Sequence, residues 1–580
     1  MLHIKSPKQM ELFDPWAYLG PKRRKRLDQS WAGFFRNDIL PALPVSSMAP
    51  FFSESFGRPS KELHTILGVL LLQQMLNLTD DETLDQLSYS IQWHYALNIT
   101  EETDSAKYFC PKTLWNVRNI ASTHNIDTKL FETITDKLAR KFEVDTDYQR
   151  LDSVHLKSNM RRLGRISIIS NTIHKFLVNL KRQNPDAFGA VSAALVERYA
   201  TPKAMVCFSR VKPSDSDKTL QSVSQDLYEL EQQFKGDAEV SKMHSYKLLE
   251  RVFKEQCTVK TTDNGEMIEV VPQKPHDVPC DSVQNPSDPD VSYCAHKGQG
   301  FKAQIMETFS PDEDGEKQGG KLRLITHVSV EKASHSDAHA VIPAISSTSQ
   351  RNLAPKEIQA DTLYGGDANW KAAKENGVNL ISPVKNAPRS MASTLSTFSF
   401  HDDGHVASCP QGVKPQWAKK KKARYIQGFC SDTCSTCPHK EACPVKPGKN
   451  NHYLRYDERT FRLARRKAFE NTGQFLEKYR WRAGVEATMS ELDRRTGAKK
   501  LRVRGLRAVR FAVVLKVIGV NIFRAAALTK HLLSPNRHDT RQSFSIFDPF
   551  AFFKERFTKN KKYYLQNRIE NYVYYNYVPC

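Results

Sequence analysis

The chain has no uninterrupted apolar stretch long enough to cross a bilayer. Of its two longest apolar runs, 66–72 is too short and 511–528 is broken by Lys516 and Arg524, so both read as buried helices. The first fifteen residues lack the positive-then-apolar order of a secretory leader. No internal repeat stands out, and negative charge is in deficit: 64 Asp and Glu face 86 Lys and Arg, a net charge of +22. Together these absences point to a cytosolic protein with a polyanionic partner, most often nucleic acid, and no membrane. Cysteine is present but unevenly placed. Six of the eleven (Cys110, Cys207, Cys257, Cys280, Cys294 and Cys580) are scattered, while Cys409, Cys430, Cys434, Cys437 and Cys443 crowd together. A local cluster in a cytosolic chain suggests metal rather than disulfides.

At 580 residues the chain exceeds what one core normally spans, so several domains or one domain with large insertions are expected. Apolar content of 39% with 26% charged residues disfavours wholesale disorder. The basic excess is local: residues 411–580 hold 37 Lys and Arg against 13 Asp and Glu, and the preceding 410 residues are close to neutral. One earlier basic run, Lys22 to Arg26, reads equally well as a solvated linker.

Residues 1–145 read as an all-helical N-terminal domain, for DNA binding or for dimerisation, with Leu63, Ile66, Leu67, Val69, Leu70 and Leu71 in one helix. Periodicity then changes. Segments 148–156, 300–308, 322–330, 357–360 and 378–384 read as short strands, and 161–260 between the first two as a helical insertion. A polar, basic, Cys-rich insertion fills 386–455, and helix returns near 460 and runs past 528. Residues 531–580 form an aromatic-rich tail with no assigned fold.

Three acidic residues draw the eye. Asp152 sits in an apolar strand, and Asp361 ends a later strand before a Tyr-Gly-Gly turn. A carboxylate at the C-terminal end of a central strand faces the crevice where α/β sheets place their sites. Tyr479, Arg482 and Glu486 fall at i, i+3 and i+7, one stripe of a single helix, with Phe475, Leu476, Val485, Met489 and Leu492 burying its other side. On spacing alone Arg482 and Glu486 also read as an ordinary i, i+4 ion pair.

These residues resemble the DDE transposases of bacterial insertion sequences, most of all the eleven-eighty-two group related to the insertion-sequence-four and -five superfamily. The matching text is Asp152-Ser-Val-His-Leu-Lys-Ser-Asn159, Asp361-Thr-Leu-Tyr-Gly-Gly-Asp367 and the Tyr-x2-Arg-x3-Glu signature at Tyr479, Arg482 and Glu486, with weaker matches at Ser287-Asp-Pro-Asp290 and His296 to Phe301. The chain departs from the signature at Asp493, where a basic residue belongs; Arg494 follows it.

The resemblance implies an RNase H-like α/β catalytic core over 146–530, a mixed sheet flanked by helices and interrupted by the two insertions. It implies that Asp152, Asp361 and Glu486 hold two Mg2+ (or Mn2+) ions, roughly 3.5–4 Å apart, with Asp152 bridging. The activity implied is cleavage of double-stranded DNA at the element's terminal repeats and joining of the 3′-OH ends to target DNA, by a homodimer in the nucleoid-associated cytoplasm. Tyr479, Arg482, Arg494, Lys499, Lys500, Arg502, Arg504 and Arg507 are the candidate DNA contacts, with Arg510 in the same basic stretch, phosphate contacts that fix position rather than read sequence. Cys430-x3-Cys434-x2-Cys437-x5-Cys443 has tetrahedral spacing for a structural Zn2+, with Cys409 able to replace Cys430. The same carboxylates would serve a metal-dependent nuclease that does not join ends, and the whole could be a transposase-derived DNA-binding protein without activity.

Overall fold

A helix that is apolar on every side has to be enclosed, and helix α1 (Leu63–Met75) is buried along almost its whole length. The last helix (Leu506–Leu533) crosses it so closely that a Cβ on Gly519 would stand 2.9 Å from the Met75 Cα. That last helix is long and apolar enough to cross a membrane, yet most of its apolar window is buried inside the protein, as expected of a core helix. The computed structural model describes residues 2–5, 13–201, 208, 211–261, 267–311, 320–385 and 395–533. The expected features of 312–319, 386–394 and the tail beyond 533 lie outside the described residues. Two compact units divide the chain, Met1–Thr529 and Lys530–Cys580, and the second contributes only the end of the last helix to this description.

The architecture is mixed α/β with an N-terminal helical region. Strand β1 (Tyr148–Lys157) is followed by a hairpin, β2 (Cys257–Thr261) with β3 (Met267–Pro272), and by β4 (Ser292–Cys294), β5 (Gly298–Thr308) and β6 (Ile325–Lys332). Next come β7 (Glu357–Ala360) and β8 (Asn379–Ile381). The central sheet runs β4-β5-β1-β7-β8, with β6 also on β5. β1 is antiparallel to β5 and parallel to β7, and β7 is parallel to β8. Leu151 pairs with Ala360, so Asp152 and Asp361 follow the last paired positions of two adjacent parallel strands. Side chains alternate across a strand: Leu151 packs with Met306, Ile358 and Leu380 in one core, whereas Val154 and Leu156 pack with the N-terminal helices in another.

That second core is continuous from Trp16 to Leu528 and includes Ile66, Leu138, Ile305, Val485 and Val513. The N-terminal helices therefore share their core with one face of the sheet. The segment between β1 and β4 has a core of its own, built from helices α2 (Arg165–Gln183), α3 (Ser216–Phe234) and α4 (His244–Gln256). It reaches Val270 and Val283, so the β2–β3 hairpin belongs to it.

Helix α5 (Val341–Ser349) covers the Leu151 face, and α6 (Asp367–Glu375) follows the Tyr-Gly-Gly turn. The expected polar Cys-rich segment holds a small sheet. Strands β9 (Ser399–Phe400) and β10 (Val406–Ser408) pair with each other, and β11 (Trp417–Lys421), β12 (Arg424–Phe429), β13 (Lys446–Pro447) and β14 (His452–Asp457) form an antiparallel sheet in the order β11-β12-β14-β13. Tyr425, Phe429, Leu454 and Tyr456 line its buried face. The chain then enters α7 (Glu458–Glu470), α8 (Gly473–Tyr479), α9 (Gly484–Thr496) and α10, the last helix.

Candidate active site

Asp152 and Asp361 are placed by pairing. β7 ends beside the middle of β1, opposite Leu151, and turns into a 3-10 segment, Thr362–Tyr364, whose N-cap is Asp361: its Oδ1 accepts the Thr362 N–H at 2.6 Å. Gly365 is required there, since a Cβ would lie 2.0 Å from the Pro383 carbonyl oxygen. Tyr364 is buried and its hydroxyl donates to Gln304 Oε1 at 2.7 Å.

Glu486 arrives by another route than the spacing implied. The single helix expected through Tyr479, Arg482 and Glu486 is broken: α8 ends at Tyr479, Arg480–Ala483 is a 3-10 turn, and Glu486 lies in the first turn of α9. Arg150 on β1 packs into this break. Its Nη1 donates to the Trp481 carbonyl at 2.7 Å, which also accepts the Gly484 N–H in the 3-10 turn. Its guanidinium also fills the space beside Gly484, where a Cβ would come within 2.0 Å of Nη1. Leu476, expected to be buried, is exposed, whereas Phe475, Val485, Met489 and Leu492 are buried as the pattern implied.

Arg482 links the first and third carboxylates. Arg482 donates from Nη2 to Asp152 Oδ2 at 2.7 Å, and its Nη1 stands 3.7 Å from Glu486 Oε1. Asp152 is also held by the Ser153 N–H at 2.8 Å. Its carboxyl is pushed above the usual aspartate range by burial, and the charges of Asp361 and Asp337 push the same way. Asp337 is itself paired with Lys302 at 2.7 Å. Tyr479 stacks on Phe475 with ring centroids 5.2 Å apart, and burial raises its phenol. The Glu486 carboxylate is 73% exposed, open to a partner from solution.

Beneath α9 lies an ion-pair network invisible to motif reading. Glu307 on β5, fully buried, accepts from Arg150 at 2.7 Å, from Arg524 at 3.0 Å and from the Thr488 hydroxyl at 2.7 Å. Arg524 also reaches Glu491 at 2.8 Å. Arg150 two residues before Asp152 was the available signal, because a cation inside an apolar strand needs a buried partner.

The remaining expected DNA contacts fall after α9. Asp493, the departure from the signature, accepts the Lys499 N–H at 3.0 Å and closes the turn that follows α9. The Lys499 carbonyl accepts the Lys157 N–H at 3.0 Å, which docks this loop on the end of β1, where Lys500 bridges to Lys157. Arg502 donates to the Asn77 carbonyl, Arg504 to Asn159 and Arg507 to Thr123 and Asn119, all neutral acceptors. Arg510 differs: it pairs with the buried Asp127 at 3.1 Å and is structural. Arg494 is exposed on α9. The acidic-proline text also acquires a place, since Asp288 and Asp290 accept the N–H groups of Gly505 and Leu506 at the start of α10.

In the Cys-rich segment, Cys409, Cys434, Cys437 and Cys443 line one cavity of about 600 Å3, and Cys430 is outside that lining. Burial raises the Cys434 and Cys443 thiols, and neighbouring thiols add to the rise. Hydrogen bonds from the Thr433 backbone lower that of Cys430 instead. Among the described residues no three His, Cys, Asp or Glu side chains are gathered in metal-binding geometry, here or at Asp152.

Two stretches are similar to known families. Residues 408–526 match a family described as transposase DDE domain, and residues 35–120 match one described as transposase domain (DUF772). The first match contains Tyr479, Arg482, Glu486 and the five clustered cysteines; Asp152 and Asp361 precede it. Both matches are to transposases, in keeping with an insertion-sequence DDE transposase. No curated protein and no solved structure matches the chain.

Proposed function

We propose that the chain is an insertion-sequence transposase of the eleven-eighty-two kind that cleaves DNA at the ends of its element and joins the 3′-OH ends to a target. The observation that carries this reading is the placing of two aspartates on adjacent parallel strands, Asp152 within β1 and Asp361 just past the end of β7, with an arginine that reaches from Asp152 to Glu486. The sheet supports an RNase H-like core: β6, β5 and β1 run antiparallel, and β7 and β8 follow β1 in parallel.

The donor set suits a hard divalent ion, because these are oxygen ligands and Asp152 is raised by burial and by two other carboxylates, a strain a cation would relieve. Asp152, Asp361 and Glu486 would hold it. Bound Mg2+ supplies a lowered pKa for the attacking water or 3′-hydroxyl and stabilisation of the leaving oxygen. Arg482 holds Asp152 in place and presents positive charge toward the scissile phosphate. Tyr479, stacked on Phe475, walls the same side. Lys499, Lys500, Arg502, Arg504 and Arg507 supply phosphate contacts along the loop beside β1, with Arg494 on the neighbouring helix. Two DNA ends have to be held at once, so the working form is a homodimer on DNA.

For a structural Zn2+ the proposed ligands are Cys409, Cys434, Cys437 and Cys443, which line one cavity that leaves out Cys430. Metal analysis of purified protein is expected to find one zinc per chain, lost in Cys437→Ser and retained in Cys430→Ser. Zinc-free wild-type protein would contradict this. The function itself is tested by incubating the protein and Mg2+ with DNA carrying the ends that flank its own coding sequence. Cuts at those ends are expected, and DNA that is bound but never cut would refute the enzymatic reading.

A further inference from the structure

The small sheet of the Cys-rich segment has two unlike faces. Tyr425, Phe429, Leu454 and Tyr456 point into its core. On the other face the register sets Trp417, Gly428, Tyr453 and Lys446 in one row, and Lys419, Ile426 and Arg455 in the next. This face lines a groove of about 1050 Å3, to which residues 441–444 and 446–449 also contribute.

Glycines make room for the two rings. A Cβ on Gly428 would lie 2.5 Å from the Trp417 indole, and one on Gly448 would lie 2.1 Å from the Tyr453 ring. The rings meet edge to face with centroids 5.9 Å apart. Lys419 stands 5.6 Å over Trp417 and Arg455 stands 5.4 Å over Tyr453.

Charge separates this face from the rest of the segment. Lys420, pointing the other way, is neutralised by Glu458 at 2.7 Å. Lys419, Lys446, Lys449 and Arg455 form no ion pair among the described residues, and Glu441 is the one carboxylate in the groove lining. Half-buried aromatic rings bordered by uncompensated cations provide surfaces for base stacking beside sites for phosphates. The bases of an intact duplex are stacked on each other and present only their edges in the grooves, so the aromatic floor selects unpaired strands.

We propose that this groove binds single-stranded DNA, with bases stacked on Trp417 and Tyr453 and phosphates held by Lys419, Lys446, Lys449 and Arg455. The inference rests on the transposase reading for its source of unpaired DNA, the strand freed next to a cut end. It gives the Cys-rich segment a task that the three carboxylates do not perform.

The test is fluorescence anisotropy with labelled oligo-dT and with a labelled duplex of equal length, in the full chain carrying Glu486→Gln so that nothing is cut. Trp417→Ala is expected to weaken oligo-dT binding by about tenfold or more, the range set by removing the aromatic partner of one stacked base, and duplex binding by less than about twofold. Trp417→Phe should restore most of the affinity. Lys419→Ala with Arg455→Ala should flatten the salt dependence for oligo-dT by roughly 0.7 for each phosphate left without its cation. Unchanged oligo-dT binding in both Trp417→Ala and the double variant, or equal weakening on duplex and single strand, would overturn the proposal. The Phe and double variants keep the test decisive should Trp417→Ala fail to fold. Cleavage by the unaltered chain is scored separately, so a chain that binds oligo-dT through this groove yet never cuts DNA would sink the transposase reading and leave the groove standing.

Discussion

Asp152→Asn, Asp361→Asn and Glu486→Gln are each expected to lower Mg2+-dependent DNA cleavage by about a thousandfold or more, the equivalent of losing several kcal/mol of transition-state charge stabilisation. Duplex binding, measured by gel shift, should stay within about twofold, because the phosphate contacts lie on other side chains. Asp152→Asn carries a second expectation. The folded state raises the Asp152 pKa, so its charged form is disfavoured there and the fold is less stable above that pKa than below it. Removing the charge relieves burial and the repulsion from Asp361 and Asp337, against the loss of its bond to Arg482. Thermal unfolding of Asp152→Asn should therefore occur at a temperature no lower than wild type, while cleavage is lost. A variant that loses activity because it unfolds would contradict this assignment.

The largest effect on stability is expected at Glu307. Its carboxylate is fully enclosed and neutralises Arg150 and Arg524, of which only 4% and 9% of the side chains are exposed. Glu307→Ala leaves the Arg150 guanidinium without its carboxylate and Arg524 with Glu491 alone, and breaking a buried pair in this way costs about 3–5 kcal/mol. Urea unfolding followed by circular dichroism measures it. Arg150 also shapes the 480–484 turn, so a milder change, Glu307→Gln, should reduce cleavage more than it reduces duplex binding. A destabilisation below about 1 kcal/mol in Glu307→Ala would show that water enters this network.

Much of this was legible in the sequence, and the rest was not for identifiable reasons. Strands carrying Asp152 and Asp361 announced themselves because apolar and β-branched residues flank each carboxylate and a Gly-Gly turn follows the second. The enclosure of α1 followed from its lack of a polar side. The break between Tyr479 and Glu486 was hidden, because the side chain that packs into it, Arg150, is more than three hundred residues away in sequence. Helical spacing correctly grouped the three residues, since a tight turn and a helix both advance the chain in short steps. The Cys-rich segment read as polar because Lys419, Lys420, Lys421 and Arg424 crowd the ends of β11 and β12; the alternation of Tyr425, Gln427 and Phe429 was the strand signal beneath them. The helical front reads as a domain of its own, and that its core is shared with Ile305 and Val485 was not to be seen, because periodicity is a local signal.

The basic surplus of the last third also acquires places. Part of it lies along the loop from Lys499 to Arg507 beside the end of β1, and part on the open face of the small sheet. Not all of it faces a partner: Arg510 and Arg524 are consumed by Asp127, Glu307 and Glu491 inside the protein.

Strand transfer tests the central claim most directly. Pre-cleaved element ends with free 3′-hydroxyls are incubated with the purified chain, Mg2+ and a supercoiled target plasmid, and the joined products are sequenced across the junctions. Covalent joining of the 3′ ends to the target is expected from the wild-type chain, with none from Glu486→Gln. Hydrolysis without joining would make the chain a nuclease, and equal joining by Glu486→Gln would remove that carboxylate from the site.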